Sequence, residues 1–295
     1  MKPVIRSYLY VPADSGDRLA RAGKRGADAV IADLEDSVAP ARKTAARAAA
    51  AAWIARGRGN GGFERWLRVN PSHQGIADIH SVFRPGLTGV CLAKTSGAAE
   101  VEAAANALED LETQHGCPVG STALMPLIES GLGLRQVDEI AEGPRVRALQ
   151  LGEIDLAADL GLPQRPHRDD LAPLRSSIVV ASAAAGLQPP VGAVSQQFND
   201  VDAFRATTTR LKLAGFLGRA AIHPAQVPII HEIFSISPDE LAAARATVSL
   251  YDVALAAGEG SATDGKGLML DEATVRTSRR IIALASAGGL TEREE

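Results

Sequence analysis

The stretch ALMPLIESGLGLRQVDEIAEGPRVRALQLGEIDLAADLG, residues 123–161, decides the fold. It holds two apolar runs, Ala123 to Ile128 and Val146 to Leu151, each short enough to be a buried strand. Each meets acid at once: Glu129 after the first, Glu153 and Asp155 after the second. Between them, Gly131 to Ala141 reads as a helix with Leu132, Leu134, Val137 and Ile140 on its buried face. Strand, helix, strand in that order makes the two strands parallel, so both carry their carboxylates to the same rim. Such a rim suits a hard divalent cation such as Mg²⁺, which takes one or two carboxylates and leaves its other positions to water and substrate oxygens. Acids after strands also serve as helix caps or first-turn residues, and both readings stand at this point. Ser130 is available to cap after Glu129, and Gly152 to Gly161 is a turn-like entry with more acids than a cap requires.

The same rhythm extends in both directions. Ser7 to Val11 is a strand closed by Pro12, and Asp14 to Arg18 leads into a helix through Gly26. Ala29 to Leu34 is the second strand, with Glu35 and Asp36 at its C-terminal end, followed by an Ala-rich helix from Pro40 to Ile54. Arg56 to Gly62 is a flexible Gly-rich loop without a phosphate-binding pattern. Trp66 to Asn70 is the third strand. Arg68 within it is costly if it faces a barrel interior without an anionic partner, and unremarkable at a solvated edge. A helix from Gly75 to Phe83, a strand from Gly89 to Ala93 ending in Lys94, and a helix from Ala98 to His115 lead back to the central stretch. Beyond it come a helix from Arg175 to Ala185, a strand from Gln188 to Val194, a helix from Phe204 to Gly215 and a strand from Gly218 to Ile222. Eight strands alternating with helices predict an α/β chain of the (β/α)₈ TIM-barrel type. An open doubly wound sheet fits less well, because no Gly-rich dinucleotide fingerprint follows the first strand. The tail predicts a helix from Asp239 to Gly258 capped by Ser237 or Pro238, a Gly-rich segment to Gly267, the step Leu268-Met-Leu-Asp271, and a last helix from Glu272. The expected division is therefore a catalytic barrel over residues 1–235 and a C-terminal helical extension, an arm or lid, over 236–295.

Composition removes several function classes. A net charge of −4 with both signs interspersed offers no basic face for nucleic acid or for a membrane surface, and aromatic residues, at 4%, are too scarce for base stacking. No segment has the length and apolarity of a membrane span, and the N-terminus has no signal core, so the expected location is the cytoplasm. Cys91 and Cys117 lack metal spacing, and Cys91 falls in an apolar run where a buried thiol is expected. His73, His80 and His115 read as surface or loop residues.

Seven motifs in chain order carry a resemblance. Ile5-Arg-Ser-Tyr-Leu-Tyr-Val-Pro12, Asp33-Leu-Glu-Asp-Ser-Val38, Leu67-Arg-Val-Asn70, Pro126-Leu-Ile-Glu-Ser130, Gly152-Glu-Ile-Asp-Leu156, Ala221-Ile-His-Pro-Ala-Gln226 and Gly265-Lys-Gly-Leu-Met-Leu-Asp271 together resemble the citrate lyase β-subunit-like branch of the HpcH/HpaI aldolase superfamily. The resemblance covers nearly the whole chain. It implies a TIM barrel, a Mg²⁺ ion, a homotrimer or homohexamer, and carbon–carbon cleavage or condensation between an acyl thioester, on CoA or an acyl carrier protein, and a 2-oxo acid. It further implies Glu129 and Asp155 as metal ligands, Arg68 as the cation that holds the oxo-acid carbonyl, and Glu35 and Asp36 as acids bracketing Arg68 and the metal's waters. Asp271 would be the acid or base delivered by the C-terminal arm, from a neighbouring subunit. The chain departs from the family pattern at Ala13, Ala93, Gly192 and Arg219, which touches the expected thioester grip and leaves the metal pair intact.

Overall fold

The computed structural model describes residues 4–57, 62–70, 72–163 and 169–287; residues 58–61 of the Gly-rich loop lie outside them. The chain divides into two compact units, residues 5–233 and the segment from residue 234 onward, the latter with Val4.

The first unit is a closed barrel of eight parallel strands in sequential order. The strands are β1 (Ser7–Pro12), β2 (Ala29–Asp33), β3 (Glu64–Val69), β4 (Gly89–Leu92), β5 (Ala123–Ile128), β6 (Gln150–Leu151), β7 (Val191–Gly192) and β8 (Gly218–Ala221). The helices that carry the chain back outside it are α1 (Gly16–Ala22), α2 (Lys43–Ala55), α3 (Ser72–Val82), α4 (Ala98–Gln114), α5 (Gly131–Arg135), α6 (Val137–Ala141), α7 (Glu153–Asp159), α8 (Ala172–Ala184), α9 (Val201–Leu213) and α10 (Gln226–Phe234). Tyr8, Tyr10, Ile31, Trp66, Cys91, Met125, Leu127 and Val191 fill the interior, with Tyr8 and Trp66 edge to face. Because side chains alternate along a strand, the row holding Ile31, Trp66 and Leu127 continues two residues later into Asp33, Arg68 and Glu129. The packed core thus ends in an ionic layer at the C-terminal rim, the face on which barrels of this architecture carry their active sites.

At the opposite end, polar groups tie strands together. Arg147 forks onto Glu64, and Arg6 onto Asp28, which also meets His231. His231 Nε2 lies 2.7 Å from Ser7 Oγ and 3.4 Å from Asp28 Oδ1. One ring nitrogen facing both partners is not the relay of a nucleophilic triad, which uses the two nitrogens separately.

The sequence expectations fail in identifiable places. The helix over 131–141 is two pieces, broken at Gln136 (φ −103°, ψ 15°), although Ser130 caps the first as expected, its Oγ accepting from the Gly133 N–H at 3.0 Å. The turn-like entry after β6 is α7, started by the acids Glu153 and Asp155 in its first turn, where carboxylates favour a helix N-terminus. The sixth strand shortens to two residues, with Val146 keeping one isolated bridge to Leu124. The seventh also shortens to two, since Pro189 and Pro190 bring no N–H to a ladder. Pro40–Arg42 is a 3₁₀ turn before α2, and α10 was not expected. His73 and His80 are exposed on α3, and Cys91 is fully buried.

The second unit pairs α11 (Pro238–Ala256) with α12 (Glu272–Ala287), joined by a two-stranded hairpin of β9 (Ala262–Thr263) and β10 (Met269–Leu270). Ser237 and Glu240 form a full capping box at the start of α11. No helix among the described residues is long and apolar enough to cross a membrane.

Candidate active site

A cavity of about 280 Å³ opens at the C-terminal rim, lined among others by Tyr10, Asp33, Arg68, Glu129, Gln150 and Asp155. Parallel register sets its anionic side, for Asp33 of β2 stands beside Arg68 of β3. Arg68 donates to both carboxylate oxygens of Asp33, at 2.7 and 2.5 Å, and reaches Glu35 at 3.3 Å. Its guanidinium also lies over the Tyr10 ring, 4.9 Å from the centroid. Burial opposes the charge, yet Asp33, Tyr10 and Glu35 hold the guanidinium firmly protonated. Arg68 is therefore an interior arginine whose anionic partners are in place.

Lys94 extends the network. Its Nζ meets Glu35 Oε1 at 2.6 Å and Asp36 Oδ2 at 2.8 Å, and that bond to the ammonium is the main reason the Asp36 carboxyl lies below its ordinary range. The Lys94 backbone takes a left-handed turn (φ 52°), and its N–H donates to Glu129 Oε1 at 2.6 Å. Glu129, directly after β5, is only 5% exposed, while Asp155, in the first turn of α7, is exposed.

Burial pushes the Glu129 carboxyl up to about 8; the Lys94 N–H opposes the rise, and Asp155 and Glu35 add to it by repulsion. A buried carboxylate facing a second carboxylate, with one oxygen unclaimed by donors among the described residues, is an arrangement a divalent cation relieves. Among the described residues no cluster of three or more His, Cys, Asp or Glu could cage a metal. Two carboxylates with open positions left over match Mg²⁺ rather than a structural zinc site. The residues present fit the expected ion.

Of the residues read from sequence, Arg68, Glu129 and Asp155 line one cavity, and Glu35 and Asp36 join it through Arg68 and Lys94. Glu153, the other acid after β6, is held by Arg175 through two bonds of 2.7 Å. Asp271 belongs to the second unit, where it caps α12, accepting from the Thr274 N–H and hydroxyl at 2.9 Å each. Sequence reasoning passed over Asp33, the main partner of Arg68, and Gln150 on the cavity wall. The signal for Asp33 was there, as an acid closing the strand next to that of Arg68. Of the departures from the family pattern, Arg219 is buried, bonded to Ala193 O at 3.0 Å and to Thr208 Oγ1 at 2.6 Å.

A model of the family described as HpcH/HpaI aldolase/citrate lyase matches residues 6–224. A (3S)-malyl-CoA thioesterase of Cereibacter sphaeroides is 32% identical over 285 residues, covering 96% of this chain and 95% of that protein. The citrate lyase subunit beta of Escherichia coli K12 is 30% identical over 290 residues, covering 97% and 95%. The crystal structure of CitE from Mycobacterium tuberculosis, in complex with magnesium, acetoacetate and coenzyme A, aligns with a TM-score of 0.76 and 27% identity, over 96% of this chain and 98% of that one.

Proposed function

The chain belongs to the HpcH/HpaI aldolase/citrate lyase family, and from that membership and its rim site we propose that it is a Mg²⁺-dependent carbon–carbon lyase. It would cleave, or form, a short β-hydroxyacyl thioester such as malyl-CoA, citramalyl-CoA or a citryl thioester on an acyl carrier protein, giving an acyl thioester and a 2-oxo acid. The carrying observation is Glu129: a buried carboxylate pushed up to about 8, beside Asp155, in the cavity that presents Arg68.

Cleavage breaks the bond between the hydroxyl-bearing carbon and the carbon next to the thioester. The hydroxyl loses its proton and becomes the oxo group, the bonding pair moves onto the thioester fragment as an enolate, and that fragment then takes up a proton. Glu129 and Asp155 would hold the ion. When bound, Mg²⁺ would supply Lewis acidity that stabilises developing negative charge. Arg68, fixed by Asp33 and Glu35, orients the oxo acid and adds positive charge beside it. Glu35 and Asp36, tethered by Lys94, are the acids that would bracket Arg68 and the ion's waters. Asp271 is the proposed proton carrier, brought by the C-terminal extension of a neighbouring subunit in a cytoplasmic homotrimer or homohexamer.

The name carried by the Cereibacter sphaeroides relative favours one second reading, hydrolysis of the thioester itself. A panel of β-hydroxyacyl-CoA substrates, assayed with and without chelator for both free CoA and oxo acid, separates the two. Chelator-sensitive release of oxo acid with the CoA thioester intact supports the lyase. Free CoA with no oxo acid supports the thioesterase, and turnover unaffected by chelator overturns the Mg²⁺ requirement.

A further inference from the structure

We propose that Gln150 binds the oxo acid directly, its carboxamide nitrogen donating to a substrate oxygen while Tyr10 and Cys91 fix that nitrogen toward the cavity. This rests on the lyase reading above and assigns it a residue of the cavity wall. Gln150 lies in β6 opposite Leu127, two residues before the turn into α7, and is 2% exposed. Two donors converge on its Oε1: the Tyr10 hydroxyl at 2.8 Å and the Cys91 thiol at 3.7 Å. Burial keeps both donors protonated, pushing the thiol up to about 12 and the phenol well above its ordinary value. With the carboxamide oxygen accepting from Tyr10 and Cys91, the nitrogen is left on the other side.

Among the described residues nothing accepts from that nitrogen. Nor is it one of the polar atoms sealed away without a partner, so it faces the cavity that Gln150 lines. A buried amide donor without a protein acceptor is costly unless something else meets it. The lining mixes apolar residues such as Leu127, Leu151 and Val194 with the charged Asp33, Arg68, Glu129 and Asp155. A neutral donor at that place recognises an oxygen of the substrate without changing the charge of the site. A pocket built to bond an oxygen discriminates strongly against ligands that lack it.

The test measures Mg²⁺ affinity alone, and then pyruvate and oxaloacetate affinity at saturating Mg²⁺, by calorimetry on the full chain. Gln150→Met keeps the length and removes the donor. It is expected to leave Mg²⁺ affinity within twofold and to weaken oxo-acid binding by roughly tenfold, the size of one lost hydrogen bond. A loss shared by both acids assigns the contact to their common oxo-carboxylate end; a loss confined to oxaloacetate assigns it to the second carboxylate. If Gln150→Met does not fold because Tyr10 loses its acceptor, the pair Tyr10→Phe with Gln150→Met removes both polar groups and carries the same expectation. Tyr10→Phe alone frees the carboxamide to turn and is expected to weaken oxo-acid binding severalfold with Mg²⁺ affinity unchanged. Oxo-acid affinities within twofold of wild type in the folded Gln150 variant overturn this inference and leave the lyase reading standing. A wild-type chain that binds neither acid with Mg²⁺ present overturns the lyase reading itself.

Discussion

Gly152 stands against Glu129 so closely that a Cβ on it would lie 2.6 Å from Glu129 Oε2 and 2.7 Å from its Cβ. The backbone there (φ −103°, ψ 82°) is open to any residue, so a methyl group would act through contact alone, with no backbone strain. Gly152→Ala is therefore expected to push Glu129 out of place and reduce Mg²⁺ affinity by roughly 10–100-fold, the usual cost of disturbing what orients a metal ligand. The 2.7 Å approach to Glu129 Cβ cannot be relieved by rotating the side chain, so the melting temperature should fall as well. Calorimetry with Mg²⁺ and pyruvate reads the first effect and a melting curve the second; unchanged affinity would mean that Glu129 does not hold the ion.

The carboxylates themselves give a more direct experiment. Glu129→Ala and Asp155→Ala should each abolish Mg²⁺-dependent stabilisation by an oxo acid while leaving the barrel folded, because a ligand that binds only the native state raises its melting temperature by mass action. In wild type, pyruvate, glyoxylate or oxaloacetate should raise the melting temperature only with Mg²⁺ present. Stabilisation that persists in both variants would remove the pair from the metal site.

Arg68→Lys tests geometry at constant charge. The guanidinium spans both oxygens of Asp33 while reaching Glu35, and a lysine ammonium cannot reproduce two parallel bonds. A fall of about 10²-fold or more in kcat/KM, or ~3 kcal/mol of transition-state stabilisation, is expected. Near-normal turnover would reduce Arg68 to an ion-pair partner with no hold on substrate.

What the sequence could and could not display follows from how barrel strands are buried. Ala29 to Ile31 and Leu124 to Ile128 are buried on both faces, so their apolar runs announce strands while hiding which side each residue takes. Asp33 therefore read as one residue within a strand and not as the anchor of Arg68, and Gln150 passed as one polar residue in an apolar run. The cavity positions of Glu129 and Asp155 were legible because Glu129 directly follows one such run and Asp155 lies four residues after the run ending at Leu151, past the end of its strand. The short β6 and β7 were over-read, since an apolar run counts residues that pack inside without joining a ladder. α7 was under-read because its acids suggested ligands before they suggested a helix start. Asp155 sits both in the first turn and on the cavity wall, so the two readings are compatible in one residue.

The far end of the barrel supplies an acid-stability prediction. Burial would raise the Asp28 carboxyl, but bonds from His231 and Arg6 overcome it and lower it from an ordinary 3.8 to about 2. A depressed carboxyl stabilises the fold above its unfolded value and loses that contribution as pH falls toward the folded one, here between about pH 4 and 2. Asp28→Asn should cost about 2 kcal/mol at pH 7 and flatten the stability curve across that window. Urea melts at pH 7, 4 and 2.5 read both, and an unaltered slope in the variant would assign the acid sensitivity to other carboxyls.

Asp271 carries the last prediction, because its visible job and its proposed one separate experimentally. It caps α12, with the Thr274 N–H and hydroxyl both at 2.9 Å, and that bonding holds its carboxyl below the ordinary range. Asn caps a helix about as well as Asp, so Asp271→Asn should keep the melting temperature nearly unchanged, whereas Asp271→Ala should lower it. Asn cannot move a proton, so if Asp271 is the proton carrier the Asn variant loses turnover while retaining oxo-acid and Mg²⁺ binding. If the residue serves a neighbouring subunit, oligomers mixed from Asp271→Asn and Glu129→Ala chains regain activity, because some sites then draw an intact Glu129 from one chain and an intact Asp271 from another. Mixed oligomers that stay inactive would confine Asp271 to its own chain, and an Asn variant with full turnover would leave it a cap alone.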